Sequence, residues 1–167
     1  MAAKTIPLTR GFVALVDEED YERLAQFKWH AVVEKRANGA SPRIYARRCL
    51  RINGRQSHIC MHKMILACSS DVDHADTNGL NNQRLNLRPA SESQNQANAR
   101  KMAATSSTFK GVDWNKETRK WRARVNVRGK RINIGYFKDE VDAATAYNFA
   151  AFEHFCEYAL LNAPRPN

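Results

Sequence analysis

The sequence predicts an α+β protein built in two parts, and three observations lead there. Short apolar, β-branched runs punctuated by turn residues occupy the chain up to Cys60. A polar stretch then runs from Val72 to Asn98. Beyond it, two cleanly alternating runs, Trp121–Arg128 and Arg131–Phe137, precede an Ala-rich amphipathic segment. A chain of 167 residues fits one ordinary domain or two small ones, and 43% hydrophobic with 26% charged residues is enough to build a core.

Lys4 to Val16 reads as two short strands broken at Arg10-Gly11. Asp17-Glu18-Glu19-Asp20 places acids in the first turn of a short helix, Asp20 to Phe27, where they suit the positive end of the helix dipole. That makes the cluster a helix start and not a carboxylate dyad. Lys28 to Val33 resumes as a strand. After a turn at Asn38-Gly39-Ala40-Ser41-Pro42, Ile44 to Ile52 is its partner, and Asn53-Gly54 signals a hairpin into a strand from Gln56 to Cys60. Met61 to Leu66 starts a short helix leading to the polar stretch.

The Val72–Asn98 stretch should lie at the surface as a loop or short hairpin running into a helix, because amides and carboxylates are costly to bury unpaired. Asp76 is a turn former beside Asn78-Gly79. Asp73 next to His74, with amides to orient them, has the makings of a metal-assisted hydrolytic site. From Ser91, an N-cap residue type, to Met102 the composition is helical, with Asn95 and Asn98 on one face. Ala103 to Thr108 is small, polar and without hydrophobic periodicity, so the domains are expected at residues 1–104 and 105–167.

In the second part, Phe109 to Trp114 is a first strand. Trp121, Ala123, Val125 and Val127 form one face of the next strand and Arg122, Arg124, Asn126 and Arg128 the other. After a turn at Gly129-Lys130 the alternation repeats, so that Arg122, Arg124, Asn126, Arg131 and Asn133 come together. A helix from about Asp139 to Phe155 offers Val141, Ala144, Tyr147, Ala151 and Phe155 to the apolar side.

Charge is the unusual feature. Twenty-seven Lys and Arg against 17 Asp and Glu give +10, which favours a polyanion, with nucleic acid ahead of an anionic membrane. From Lys35 to Lys63 there are eight basic residues and no acid, among them Arg47 and Arg51, as for a sheet lying along a phosphate backbone. No run of 18 apolar residues exists and the N-terminus lacks a secretory signal, so an intracellular, cytoplasmic location without a membrane partner is expected. The four cysteines are scattered singly, as reduced thiols would be. His58, Cys60 and His62 alternate as zinc ligands on a strand could, yet no Cys-x-x-Cys pair completes a closed site. His62 could equally face the polar stretch or serve as a core histidine.

The C-terminal unit resembles the AP2 DNA-binding domain. The resemblance spans nearly all of residues 109–163 and rests on Phe109-Lys110-Gly111-Val112, Trp121-Arg122-Ala123, Ile134-Gly135-Tyr136-Phe137, the helix alanines and Leu160-Leu161-Asn162. It implies a three-stranded antiparallel sheet packed on one helix and lying in the major groove. Lys110, Asp113, Arg124, Asn126, Arg131 and Asn133 match the family's contact positions, beside Arg122 on the alternating face. Asp113 stands where the family usually has Arg, and Asn133 where it usually has Trp.

The polar stretch resembles the HNH endonucleases of the phage and intron-encoded homing branch. Asp73-His74, Asn78-Gly79, Asn81-Asn82, Asn86-Leu87-Arg88 and Ser93-Gln94-Asn95-Gln96 carry it. Ile6-Pro7-Leu8-Thr9, Val16-Asp17 and Lys28-Trp29 are similar to proteins that combine the two domains. The implied core, about 58–102, is a ββα-metal (His-Me finger) fold with additional β-strands around it. By the motif match His74 is the general base, Asn86 braces the ribbon and orients it, and Asp73 and Asn95 bind one divalent ion, Mg²⁺ or Mn²⁺, with Asn98 able to trade places with Asn95. The implied partner is double-stranded DNA, cut by a monomer or weak homodimer with no further protein partner evident. The alternatives are a non-catalytic DNA-binding regulator with a degenerate nuclease half and, with less in its favour, an RNA-binding protein.

Overall fold

Thr9-Arg10-Gly11 turns the chain between β1 (Ala3–Pro7) and β2 (Val13–Asp17), which pair antiparallel from Ala3↔Asp17 to Pro7↔Val13. Arg10 and Gly11 both take positive φ, 62° and 74°, so the expected break between two strands is a tight left-handed turn. The computed structural model describes residues 2–35, 41–52, 54–101 and 106–163. Met102, Asn53 of the expected hairpin turn, most of the turn around Asn38 and the Ala103–Thr105 part of the expected linker lie outside the described residues. The architecture is mixed α+β, with small antiparallel sheets and, among the described residues, four α-helices.

α1 spans Glu18–Ala25, two residues ahead of the expected start. Asp17 sits at its N-cap, but its carboxylate makes no capping bond. Instead it accepts from Gln83 Nε2 at 2.9 Å and Arg84 N at 2.7 Å, so the acidic first turn alone starts the helix. β3 (His30–Glu34), β4 (Arg43–Ile52) and β5 (Arg55–Cys60) form a three-stranded antiparallel sheet with β4 central. α2 (Met61–Leu66) follows, and β6 (Asp71–His74) pairs with β7 (Leu87–Ala90) from Asp71↔Ala90 to His74↔Leu87.

Ile6, Ala14, Val16, Leu24, Trp29, Ala46, Met61 and Ile65 make one buried cluster from these elements. Leu24 is fully buried, a contribution of about 1.5–3 kcal/mol. Trp29 satisfies its indole N–H on the Leu24 carbonyl at 2.9 Å. The Arg48 guanidinium lies 3.6 Å from the centre of the Phe27 ring, so this member of the basic run packs on an aromatic.

The chain separates into two compact units between Ser91 and Glu92. α3 (Glu92–Asn98) is shorter than the expected Ser91–Met102 and belongs to the second unit. Ala97 is buried in that unit's core and its carbonyl accepts from Leu160 N at 3.1 Å. The Arg128 N–H donates to Ser93 Oγ at 2.9 Å.

In the second unit β8 (Val112–Asn115), β9 (Lys120–Val127) and β10 (Lys130–Phe137) form an antiparallel sheet with β9 central, and α4 (Glu140–Phe155) packs on it. Asp139 caps α4, accepting from Val141 N at 2.7 Å and Asp142 N at 3.2 Å. That start puts Ala143, Ala144, Tyr147, Ala151 and Phe155 on the buried stripe. Val141, expected there, is half exposed, because at 100° per residue it falls at the stripe's margin. Gly111, at φ +74°, takes a conformation L side chains rarely adopt and leaves room for the Tyr147 ring. Asn162 closes the unit, its side chain accepting from Lys110 N at 2.7 Å and donating to Lys110 O at 3.0 Å, while Asn148 holds its backbone at both ends.

Candidate active site and nucleic-acid face

His74 ends β6 and is buried, although histidine is usually half exposed. Three elements of the first unit meet around it. Tyr45 from β4 has its ring centroid 5.9 Å away, and His62 from α2 has its ring 5.0 Å away and edge-on. Asn82, 1% exposed, comes from the loop between β6 and β7. Burial pushes the His74 pKa below the ordinary imidazole range, opposed by a hydrogen bond with Asn82 and by the charges of Asp76 and Asp73. Burial, then the neighbouring His74, drives His62 down to about 3, so its ring is neutral in any working buffer. Its Nδ1 has no hydrogen-bond partner among the described residues. His62 thus lies beside His74, apart from His58, whose Nδ1 lies 3.4 Å from Cys49 Sγ on the β4–β5 ribbon. Among the described residues no three His, Cys, Asp or Glu side chains could share an ion.

The loop that carries Asn82 is held by an amide network. Asn86 donates from Nδ2 to Asp76 Oδ1 at 3.0 Å and to the Asn81 carbonyl at 2.8 Å, and its Oδ1 accepts from Asp76 N at 2.9 Å. Asp76 also accepts from Asn78 N and Asn81 Nδ2, both at 2.8 Å, which is the turn-forming role expected of it. Backbone bonds to Leu15, from Asn82 N at 2.7 Å and to Leu80 O at 2.8 Å, stitch the loop to β2. Asp20 adds a charged clamp. Its carboxylate, 2% exposed, accepts from Arg84 Nε at 2.7 Å, Arg84 Nη2 at 2.9 Å and Arg23 at 2.6 Å. Asp20 therefore does more than start a helix. Burial alone would raise its pKa, but Arg84 and then Arg23 outweigh that and hold it below the usual carboxylate range.

Asp73 is buried and faces Arg88 across the ribbon; Arg88 Nε and Nη2 reach its Oδ2 at 2.9 and 2.7 Å. As a donor, the Asp73 carboxylate suits a hard divalent ion that keeps water and phosphate oxygens in its other positions, and it does not make a closed zinc site. Asn95 lies on α3 and Asn98 is buried at its end, both within the second unit.

β4 alternates, so Arg43, Tyr45, Arg47, Cys49 and Arg51 share a face. Arg47 and Arg51 are therefore in line with the tyrosine that touches His74. Arg47 also reaches Glu34 at 3.5 Å. Tyr45 goes unnoticed in the sequence, where its one signal is its place between arginines at two-residue spacing.

In the second unit the register puts Arg131 opposite Asn126 and Asn133 opposite Arg124, so the expected polar face forms. A bulge between Asn133 and Gly135 then brings Tyr136 opposite Arg122 and returns Phe137 to the apolar side beside Trp121. Asp113, opposite Arg122, belongs to the same face and binds both Arg122 and Arg124. Lys110 is turned to α3, where its ammonium donates to the carbonyls of Gln96 and Ala97. Asn126 Nδ2 reaches Gln96 Oε1 at 3.4 Å. Arg131 and Asn133 are exposed.

The chain is 41% identical, over 91 residues, to an uncharacterized HNH endonuclease of Acanthamoeba polyphaga mimivirus, covering 54% of this chain and 46% of that protein. It is 39% identical over 63 residues to Protein 3.8 of Escherichia phage T7, covering 38% of this chain and 52% of that one. It thus spans about half the length of the curated relatives it matches. No family model matches the chain, and no solved structure does. The similarity to the mimivirus protein supports an HNH-like nuclease. No described helix is long and apolar enough to cross a membrane.

Proposed function

We propose that the chain is a divalent-metal-dependent DNA endonuclease of the HNH homing type, whose AP2-like second unit places it on duplex DNA. The observation that carries this reading is the buried imidazole of His74, enclosed by Tyr45, His62 and Asn82, one residue after Asp73 on β6. Burial keeps it neutral near pH 7, the form that accepts a proton from water attacking a phosphodiester. Asn86 holds the loop that follows His74, and so fixes the imidazole against the incoming water. Arg47 and Arg51, on the Tyr45 face of β4, bind the backbone and bring a phosphate to the site. Asp73 would hold Mg²⁺ or Mn²⁺, which when bound supplies positive charge at the phosphate and the departing 3′ oxygen.

A second reading, a DNA-binding regulator with an inactive first unit, draws on one observation: Arg88 already neutralises Asp73. Supercoiled plasmid incubated with Mg²⁺ and either the wild-type chain or His74→Ala separates the two. Nicking by the wild type that EDTA stops and His74→Ala lacks is the expected result. Equal nicking by both proteins, or none by either in Mg²⁺ or Mn²⁺, refutes the catalytic assignment.

A further inference from the structure

The polar face of the β8–β9–β10 sheet carries one acid among its bases. Asp113 Oδ1 accepts from Arg124 Nε at 3.0 Å and Nη2 at 2.6 Å, and its Oδ2 accepts from Arg122 Nη2 at 2.7 Å. All three side chains are about one-quarter exposed, so these are partly sheltered, charge-assisted bonds and not loose surface pairs. A face built only to grip phosphate gains nothing from a carboxylate set against its arginines, which repels phosphate and occupies two guanidiniums.

The geometry points to Asp113 as a specificity-determining positioning residue: it locks Arg124, and with it Arg122, so that fixed guanidinium edges face the base pairs. The inference rests on the DNA-reading role proposed for this sheet. A guanidinium has five N–H groups in a rigid plane. Arg124 spends its Nε–Nη2 edge on Asp113, which leaves the Nη1–Nη2 edge, the width of a guanine O6/N7 pair, pointing away from the carboxylate. Holding the fork beforehand removes rotamer freedom that binding would otherwise have to quench. Burial would raise the Asp113 pKa, yet the bonds from Arg122 and Arg124 outweigh it and hold the group low, so the carboxylate stays ionised in any working buffer.

The test is selection of full-length protein on a randomised duplex library in EDTA, with wild type, Asp113→Asn, Arg124→Lys and the double variant. Wild type is expected to select a motif with guanine at one or two positions. Asp113→Asn should lose discrimination there by about ten- to hundred-fold, while its affinity for unrelated duplex stays level or rises. Arg124→Lys should lose the same position, and the double variant should do no worse there than Arg124→Lys. Retention of the motif by Asp113→Asn overturns the inference. So does loss at a cytosine that Arg124→Lys leaves intact, since Asp113 would then touch the base itself, and so does an equal fall in affinity for all duplexes, which marks a merely structural role. If wild type selects no motif, the DNA-reading role fails first and takes this inference with it.

Discussion

Replacing Asn86 probes the loop behind His74 most directly. Asn86→Ala removes three side-chain hydrogen bonds, to Asp76 twice and to Asn81 once. At about 0.5–1.5 kcal/mol net for each bond the loss could reach about 4.5 kcal/mol, but Asp76 is exposed and water can replace its lost partners, so about 2 kcal/mol is expected. Asn86→Asp keeps the bond from Asp76 N but turns the 3.0 Å amide–carboxylate contact into two facing carboxylates. Even at the dielectric of bulk water such charges repel by about 1.4 kcal/mol. The Asp variant should therefore lie at least about 1 kcal/mol below the Ala variant at pH 7. Its sign with pH is fixed: mutual repulsion raises the folded-state carboxyl pKa, so stability is lost as pH rises through that value and recovered below about pH 4. Hydrogen exchange of the β6 and β7 amides, read across urea and pH, reports this unit alone. Equal stability of the two variants at pH 7, or Asn86→Ala within about 0.5 kcal/mol of wild type, refutes the network.

Asp20→Ala strands two guanidiniums around a buried site and should cost about 3 kcal/mol, the low end for a broken buried pair because Arg23 and Arg84 are each partly exposed, checked by urea midpoint. The lowered Asp20 pKa means its contribution is complete above about pH 4 and lost as pH falls through the folded value; acid unfolding of wild type should thus be steeper than that of Asp20→Asn. Gly79→Ala would set a Cβ 2.4 Å from the Ile44 carbonyl oxygen and 2.6 Å from the Tyr45 ring, displacing the Ile44–Tyr45 segment that carries the ring touching His74; nicking should fall at least about tenfold along with stability, while wild-type rates would show that this segment is not needed in place. Duplex affinity should fall with log salt at a slope of about −0.9 per phosphate neutralised, and a flat response would remove the electrostatic role of Arg47 and Arg51.

Much of the fold is written in local periodicity. β9 and the first half of β10 alternate as strands covered on one side do, and their facing residues follow from that. The bulge at Ile134 does not, because it depends on where Phe137 must reach, and without it Tyr136 would leave the polar face. Near His74 the motif residues are legible, but their neighbours are not. Asp17 and Asp20 look like helix-start acids, and only the fold reveals that their carboxylates serve residues more than sixty positions away. Asp113 similarly reads as one odd residue until register sets it beside two arginines. Where α3 belongs is decided by its packing on residues from Lys110 to Leu160, contacts that no local window contains.

Because the Ala97 carbonyl is held by the Leu160 N–H and by Lys110, α3 gains its fixed place only after Leu160 has been synthesised. The helix thus folds with the strands that follow it in the chain and not with the ribbon that precedes it. A cut placed by composition at residue 104 would strand α3 without the residues that hold it.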